Sequence, residues 1–389
     1  MCFLLKSNFT RKATVCLLSF ISICAESNAV GMVILMKRDE LRSLLREAPY
    51  DAMVLTSEIS RRYATGFHST AGAVYLSAKQ AVFFTDFRYV EAARAAITDF
   101  EVREISGGKS YTAVVNELIE QDGVKKVGLE DRMLTYAEYM SWASALHATA
   151  VRLEDGVERL RVCKGDDEVG KIVAAQRIAE QALEEVLNDI KPGATEKEIA
   201  ARLTYLMLHY GAENMSFDPI VVSGANSSKP HGVPTEKPIE AGDFVTMDFG
   251  CIVDGYCSDM TRTVAVGHVT DEMQTVYDTV LNAQLAGIAC CKAGVTGRDV
   301  DGAARRVIAD AGYGDAFGHG FGHGVGLEIH EAPTAGPRGE APLPAGSIVT
   351  AEPGIYLPGR FGVRIEDMLY VIEDGCINLT EAPKQLVIL

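Results

Sequence analysis

The chain has 389 residues, 48% of them apolar, enough for two domains each with a core of its own. Its 53 Asp and Glu against 37 Lys and Arg leave a net charge of −16, which excludes the basic face that nucleic acid or an anionic membrane would require. Three of the nine cysteines lie in the first 24 residues; the other six, with no CxxC spacing, read as reduced thiols of a cytoplasmic protein rather than a disulfide framework.

Residues 1–35 differ in character from the rest of the chain. Lys6, Arg11 and Lys12 precede the run ATVCLLSFISIC, and Ser27-Asn-Ala29 has the form of a cleavage site, so a signal peptide is one reading. The run is too short to span a bilayer. The other reading starts the functional chain at Met36 or Met32, where MKRDELRSLLREAPYDAMVL opens as an amphipathic helix running into a strand. The cysteine usage downstream favours this second reading.

From 36 to 160 helix and strand alternate. AVYLSA and AVFFTDF read as apolar strands, VEAARAAI as a helix, and TAVVNELIEQDG as a helix ending at Gly123, which together make one α/β domain. A boundary falls at RVCKGDDEVG, and residues 161–389 form a second domain. It opens with a long helix whose apolar face runs from Val169 to Ile190 and which Pro192-Gly193 is expected to stop.

This second domain contains a repeat. KPGATEKEIAARLTYLMLHYG (191–211) aligns without gaps onto KAGVTGRDVDGAARRVIADAG (292–312), each copy opening with a capping Thr, Thr195 or Thr296, and an acid three positions on, Glu198 or Asp299. Further along, FVTMDFG (244–250) matches IVTAEPG (348–354), so Asp248 corresponds to Glu352. A duplicated half-domain predicts two pseudo-symmetric halves with a shared site between them.

The stretch DFVTMDFGCIVDGYCSDMTRTVAVG (243–267) reads as two strands joined at Asp254-Gly255, a dipeptide suited to a two-residue hairpin. That turn sets Asp259 opposite Gly250, with Asp248 diagonal to it on the same face. Two half-buried carboxylates repel one another, and a divalent cation would offset the repulsion. The second half supplies its own pair, Glu352 in TAEPGIY and Glu366 in VRIED. Histidine enters from HGFGHGVGLEIHEAP (319–333), a glycine-rich stretch that contains no GxGxxG, while the chain has no GxxxxGK[ST]. Carboxylates with one imidazole are a ligand set for Mn²⁺, Fe²⁺ or Co²⁺, with Zn²⁺ as an alternative.

In the order D-x10-D…H…E…E, Asp248, Asp259, His323, Glu352 and Glu366 resemble the five ligands of the dinuclear metallopeptidases with the creatinase/aminopeptidase fold. Within that group, HGFGHGVGLEIHE and PHGVP (230–234) resemble the histidine segments of the prolidase and aminopeptidase P branch. SRRYATGF (60–67) and TDFRY (85–89) resemble parts of its N-terminal domain. Phe321 departs from the family, which more usually has Thr or an aliphatic residue there.

The resemblance implies an α+β fold, with a pseudo-two-fold duplicated pita-bread catalytic domain behind a smaller α/β creatinase-type N-terminal domain. It implies two divalent ions per chain, Mn²⁺ first and Co²⁺ or Zn²⁺ as alternatives, with Asp248 and Asp259 on one, His323 and Glu352 on the other, and Asp259 and Glu366 bridging. The glycines beside His323 are expected to let backbone approach the ions and the substrate amide. His231 and His330 are the histidines expected at the substrate and its tetrahedral intermediate, His319 and Arg364 lie on the substrate side, and Arg364 orients Glu366 or a carboxylate. The implied activity is hydrolysis of Xaa-Pro bonds by a hydroxide bridging the two ions, with Glu352 carrying a proton to the leaving nitrogen. The enzyme would be an Xaa-Pro aminopeptidase or an Xaa-Pro dipeptidase, acting on a peptide or dipeptide as a cytoplasmic homodimer. The competing readings are a non-catalytic peptide-binding module on the same fold and a methionine-aminopeptidase-like enzyme.

Overall fold

A computed structural model describes residues 37–389. Both readings of residues 1–35, export signal or sequence upstream of a start at Met32 or Met36, lie outside the described residues. No helix among the described residues is long and apolar enough to cross a membrane.

The N-terminal part opens with α1 (Lys37–Glu47), which buries Leu41 and Leu45 and runs into β1 (Ala52–Leu55). Ser57 caps α2 (Glu58–Thr65), accepting from the backbone N–H of Ser60, and Gly66 closes that helix in the left-handed region. There follow β2 (Ala73–Ser77), β3 (Ala81–Thr85), α3 (Val90–Ala96), β4 (Glu101–Glu104), α4 (Tyr111–Asp122), β5 (Lys126–Leu129), α5 (Tyr136–Ala145) and β6 (Thr149–Arg152). The strands form one sheet in the order β4-β3-β2-β1-β5-β6, antiparallel from β1 to β3 and parallel outside. Its central strands are apolar along their length because both faces are covered.

A connector helix, α6 (Gly156–Val162), leads to α7 (Asp166–Val186). The long helix is present but ends at Val186, so Ile190 is buried from a non-helical segment and Pro192-Gly193 is not what stops it. Beyond it lie α8 (Glu196–His209), β7 (Asn214–Met215), β8 (Ile220–Ser223), β9 (Phe244–Phe249), β10 (Cys251–Val253), β11 (Tyr256–Cys257), β12 (Met260–Ala265) and α9 (Asp271–Cys290). The second half continues with α10 (Gly297–Asp310), β13 (Gly322–Gly324), β14 (Glu331–Ala335), β15 (Ile348–Ala351), β16 (Gly354–Leu357), β17 (Phe361–Arg364), β18 (Asp367–Ile372) and β19 (Gly375–Asn378).

The repeat is a structural one. Thr195 and Thr296 cap α8 and α10, and their hydroxyls accept from the backbone N–H of Glu198 and Asp299. Glu198 returns a bond to the Thr195 backbone; the shorter Asp299 reaches only the Thr296 hydroxyl, at 2.7 Å. In each half an outer antiparallel pair, β9–β12 or β15–β18, carries an inner hairpin, β10–β11 or β16–β17. The ladders break at 250 and 258–259 in the first half and at 352–353 and 365–366 in the second. Asp259, Glu352 and Glu366 sit in these breaks, and Asp248 sits just before one.

Two apolar clusters fill the second domain. One packs Phe244 against Tyr277 and Phe361 and takes in Phe321; the other packs α7 and α8 under Met247 and Phe249. Full burial of a side chain such as Phe244 contributes about 2–3 kcal/mol. Phe321 is fully buried here, facing core and not cavity. A third cluster runs without interruption from Leu41, Met53 and Phe83 to Val325, Leu327 and Met368, joining the two domains.

Candidate metal centre

The hairpin register that positions the first pair of carboxylates follows from its turn. Asp254 and Gly255 both take positive φ, 47° and 85°, so Val253 faces Tyr256, Ile252 faces Cys257, and Asp248 faces Thr261. A side chain at Gly250 would lie 1.8 Å from the Ser258 carbonyl oxygen, which is how the strand presses in beside Asp259. Asp259 and Glu366 are buried, 3% and 2% exposed.

His323 comes from β13, sandwiched between β14 and β15. The glycines beside it leave room for that sandwich. A Cβ on Gly322 would lie 2.0 Å from Thr350 O, and one on Gly324 2.3 Å from Ala332 O. Neighbouring strands press against both glycines, and Gly322 also lines the cavity that holds the carboxylates.

All nine residues singled out in the sequence line one cavity of about 400 Å³: His231, Asp248, Asp259, His319, His323, His330, Glu352, Arg364 and Glu366. Ligand atoms of Asp259, His323 and Glu366 fall within 4.8 Å of one another. The His323 Nε2 atom lies 3.6 Å from Asp259 Oδ2 and 3.4 Å from Glu352 Oε1. Its Nδ1 faces the carbonyl of Gly324 at 3.1 Å, and a carbonyl can only accept. The neutral ring therefore donates from Nδ1 and turns the Nε2 lone pair onto two carboxylates. Lone pair against carboxylate is repulsive unless a proton or a metal cation lies between.

The electrostatics agree. Burial, then repulsion from Glu366, Asp248 and Glu352, pushes the Asp259 carboxyl well above its ordinary range, and Glu366 rises for the same reasons. Burial raises Glu352 to about 7, and it lowers His323 so that the ring is neutral. One oxygen each of Asp248 and Asp259 is buried with no hydrogen-bond partner. Donor chemistry, orphaned oxygens and mutual repulsion all fit divalent cations at this place.

Several contributors escaped the sequence reading. Thr261, the cross-strand neighbour of Asp248, donates to Glu366 Oε2 at 2.7 Å. The hydroxyl of Thr350 accepts from His323 N at 3.1 Å and donates to Glu352 Oε1 at 3.3 Å. Arg364 does not hold its neighbour Glu366. Its guanidinium donates to Asp248 Oδ2 (2.6 Å), the Tyr356 hydroxyl (2.8 Å) and Thr261 Oγ1 (3.0 Å). His319, its proton affinity lowered by burial to a pKa of about 4, contacts the Tyr356 hydroxyl through Nε2 at 2.9 Å. Phe217, Ile220 and Ile329 make the apolar wall of the cavity.

Residues 170–373 match the model of metallopeptidase family M24, and residues 37–163 that of the creatinase/prolidase N-terminal domain. The chain belongs to metallopeptidase family M24. It is 43% identical over 355 residues to an uncharacterized peptidase, YqhT, of Bacillus subtilis, covering 91% of this chain and all of the relative. Among solved structures it is similar to an Xaa-Pro dipeptidase from Bacillus anthracis, with 46% identity, a TM-score of 0.88, and coverage of 91% and 99% of the two chains. It is also similar to an X-Pro aminopeptidase from Thermotoga maritima, with 38% identity, a TM-score of 0.85, and coverage of 89% and 100%. As a member of this family the protein is a hydrolase, a metal-dependent peptidase built from a creatinase-type N-terminal domain and a pita-bread catalytic domain.

Proposed function

We propose that this M24 enzyme is an exopeptidase hydrolysing the bond before proline, as an Xaa-Pro aminopeptidase or dipeptidase. The observation that carries the reading is the His323 Nε2 lone pair turned onto Asp259 and Glu352 inside a buried carboxylate cluster. The names of the similar B. anthracis and T. maritima enzymes support proline as the residue after the cleaved bond, and the apolar wall of Phe217, Ile220 and Ile329 offers a pyrrolidine ring a dry surface.

Asp248, Asp259, His323, Glu352 and Glu366 would hold two divalent ions, with Asp259 and Glu366 shared between them. Mn²⁺ or Co²⁺ is favoured by an oxygen-rich set. Bound divalent cations bring the pKa of water down towards about 7 and draw charge from a carbonyl oxygen. Glu352, which lines the cavity beside the His323 ring, takes a proton from the attacking water and delivers it to the departing nitrogen. A prolyl nitrogen has no N–H in the amide, so this delivery completes the amine. His330, whose proton affinity is lowered by partial desolvation, donates to the developing oxyanion, with His231 beside it at the cavity wall. His319 and Arg364 shape the substrate side. Six unpaired thiols among the described residues support a cytoplasmic setting. A homodimer is inferred from the family resemblance, and light scattering tests it.

The deciding assay is purified, Mn²⁺-loaded protein against Xaa-Pro, Xaa-Pro-Yaa and Xaa-Ala substrates. Proline-dependent cleavage is expected, and the chain length accepted separates dipeptidase from aminopeptidase. Equal turnover of Xaa-Ala would overturn the proline reading; metal binding without any turnover would favour a binding module.

A further inference from the structure

His330 stands at the end of the loop after β13, and among the described residues its ring makes no hydrogen bond of its own; it meets the His323 ring edge-on at 4.3 Å. What directs it must be backbone. The next residue, Glu331, begins β14, so a grip on its side chain fixes the backbone at the loop's end from which His330 projects.

That grip is unusually strong. Lys164 Nζ donates to Glu331 Oε1 at 2.6 Å, and Arg161 Nη2 donates to Glu331 Oε2 and, at 2.8 Å, to Glu328 Oε2. The side chains of Lys164, Arg161 and Glu331 are only 1%, 4% and 8% exposed. Glu331 packs across its own loop: a Cβ on Gly326 would lie 2.3 Å from its carboxylate. Buried ion pairs add little stability over an apolar packing of the same shape, so geometry is the more natural reason for this one. Both cations belong to the connector between the domains, Arg161 on α6 and Lys164 just after it, where Lys164 N is tied to Gly346 O at 2.8 Å.

We propose that Arg161 and Lys164 are positioning residues for His330, acting through Glu331, so that the interdomain connector sets the geometry of the oxyanion side of the cavity. This rests on His330 serving as the oxyanion donor of the proposed peptidase. It ties the oxyanion side of the cavity to the interdomain connector, whose helix α6 packs on the same apolar cluster that reaches Val325 and Leu327 in the loop.

The test is a double-mutant cycle on Mn²⁺-loaded enzyme with an Xaa-Pro peptide. Lys164→Met is expected to lower kcat about 10²-fold, the order of loss from a misplacement of about 1 Å, with KM and metal content unchanged. The same change made in His330→Ala is expected to cost less than about threefold, because the group being positioned is gone. Lys164→Arg should restore most of the rate. If Lys164→Met does not fold, the charge-balanced pair Lys164→Met with Glu331→Gln replaces it. A full loss persisting in His330→Ala, or a loss of bound metal, would overturn the proposal. Histidine ring NMR gives a readout that needs no substrate, the His330 signal being the one missing from His330→Ala. It should shift or split in the Lys164 variant, and an unmoved signal refutes the positioning role even if no Xaa-Pro peptide is cleaved.

Discussion

Arg364 donates from Nη2 to Asp248 Oδ2 at 2.6 Å, an ion pair between residues 116 apart that joins a strand of the second half to a carboxylate of the first. The side chain is buried, and its other donors go to Tyr356, Thr261 and the carbonyl of Pro230. Because it orients Asp248 while also repelling cations, the two effects of removing it separate. Arg364→Met should lower activity about 10- to 100-fold, as loss of a ligand-orienting partner does. Metal content should hold, because a competing positive charge has left. Steady-state kinetics with elemental analysis of the same sample checks both, and loss of metal would show that orientation outweighs charge.

His323 and His330 lie ring to ring, yet they should differ in what their loss removes. His323→Ala is expected to lose one ion together with activity. His330→Ala is expected to keep both ions and lose about 10²- to 10³-fold in kcat, the usual cost of one oxyanion donor. Metal stoichiometry on the two purified variants decides the matter. Metal loss in His330→Ala would refute the division of roles.

The duplicated plan was legible in the sequence because it is written in local signals. Capping Thr195 and Thr296, the Asp254-Gly255 turn and the matched FVTMDFG and IVTAEPG runs are all short-range features, and the hairpin register follows from the turn alone. What could not be read is what depends on three-dimensional neighbours. Thr350 touches Glu352 through a two-residue offset that any strand could show. Arg364 passes over its chain neighbour Glu366 for Asp248, a choice fixed by the way β17 crosses β9. That Gly322 and Gly324 of HGFGHGVG also make room for the strands that carry Thr350 and Ala332 depends on which strands flank them, which the stretch itself does not record.

The carboxylate cluster makes a prediction about pH when metal is stripped. Asp259, Glu366 and Glu352 all hold protons more tightly folded than unfolded, Glu352 rising from 4.5 to about 7. Between those values the folded state binds more protons, so its stability falls as pH rises through the window, by up to about 1.4 kcal/mol per pH unit for each group involved. The lowered affinities of His319, His323 and His330 act in the opposite sense below about pH 6.5, but His319 and His330 hold no ion and contribute alike to both forms, which leaves His323 against three carboxylates in the comparison. The melting temperature of chelator-treated protein should therefore drop from pH 4.5 to 7 relative to Mn²⁺-loaded protein. Parallel curves for the two forms would mean that the cluster is not what the ions relieve.

Glu196 offers a test in the other histidine segment. It is fully buried at the first position of α8, and its carboxylate fastens both ends of the loop that carries His231. Oε1 accepts from Ser223 N (2.7 Å), Ser223 Oγ (3.0 Å) and Asn226 Nδ2 (3.1 Å), while Oε2 accepts from Thr235 N (3.0 Å) and Thr235 Oγ1 (2.6 Å). The repeat places Gly297 at the corresponding point, where a Cβ would lie 1.9 Å from Thr334 O, so the second half cannot use the same device. There Asp301 and Arg305 do the fastening, through Phe321 N at 3.0 Å and the carbonyls of Phe317 and His319. Glu196→Ala strands several buried donors and should destabilise the fold by about 3 kcal/mol or more, whereas Glu196→Gln keeps an acceptor and should cost about half of that. Urea denaturation measures both. Activity per folded molecule should fall with the alanine variant as the His231 loop loosens, and a change below about 1 kcal/mol with full activity would show that the loop holds itself.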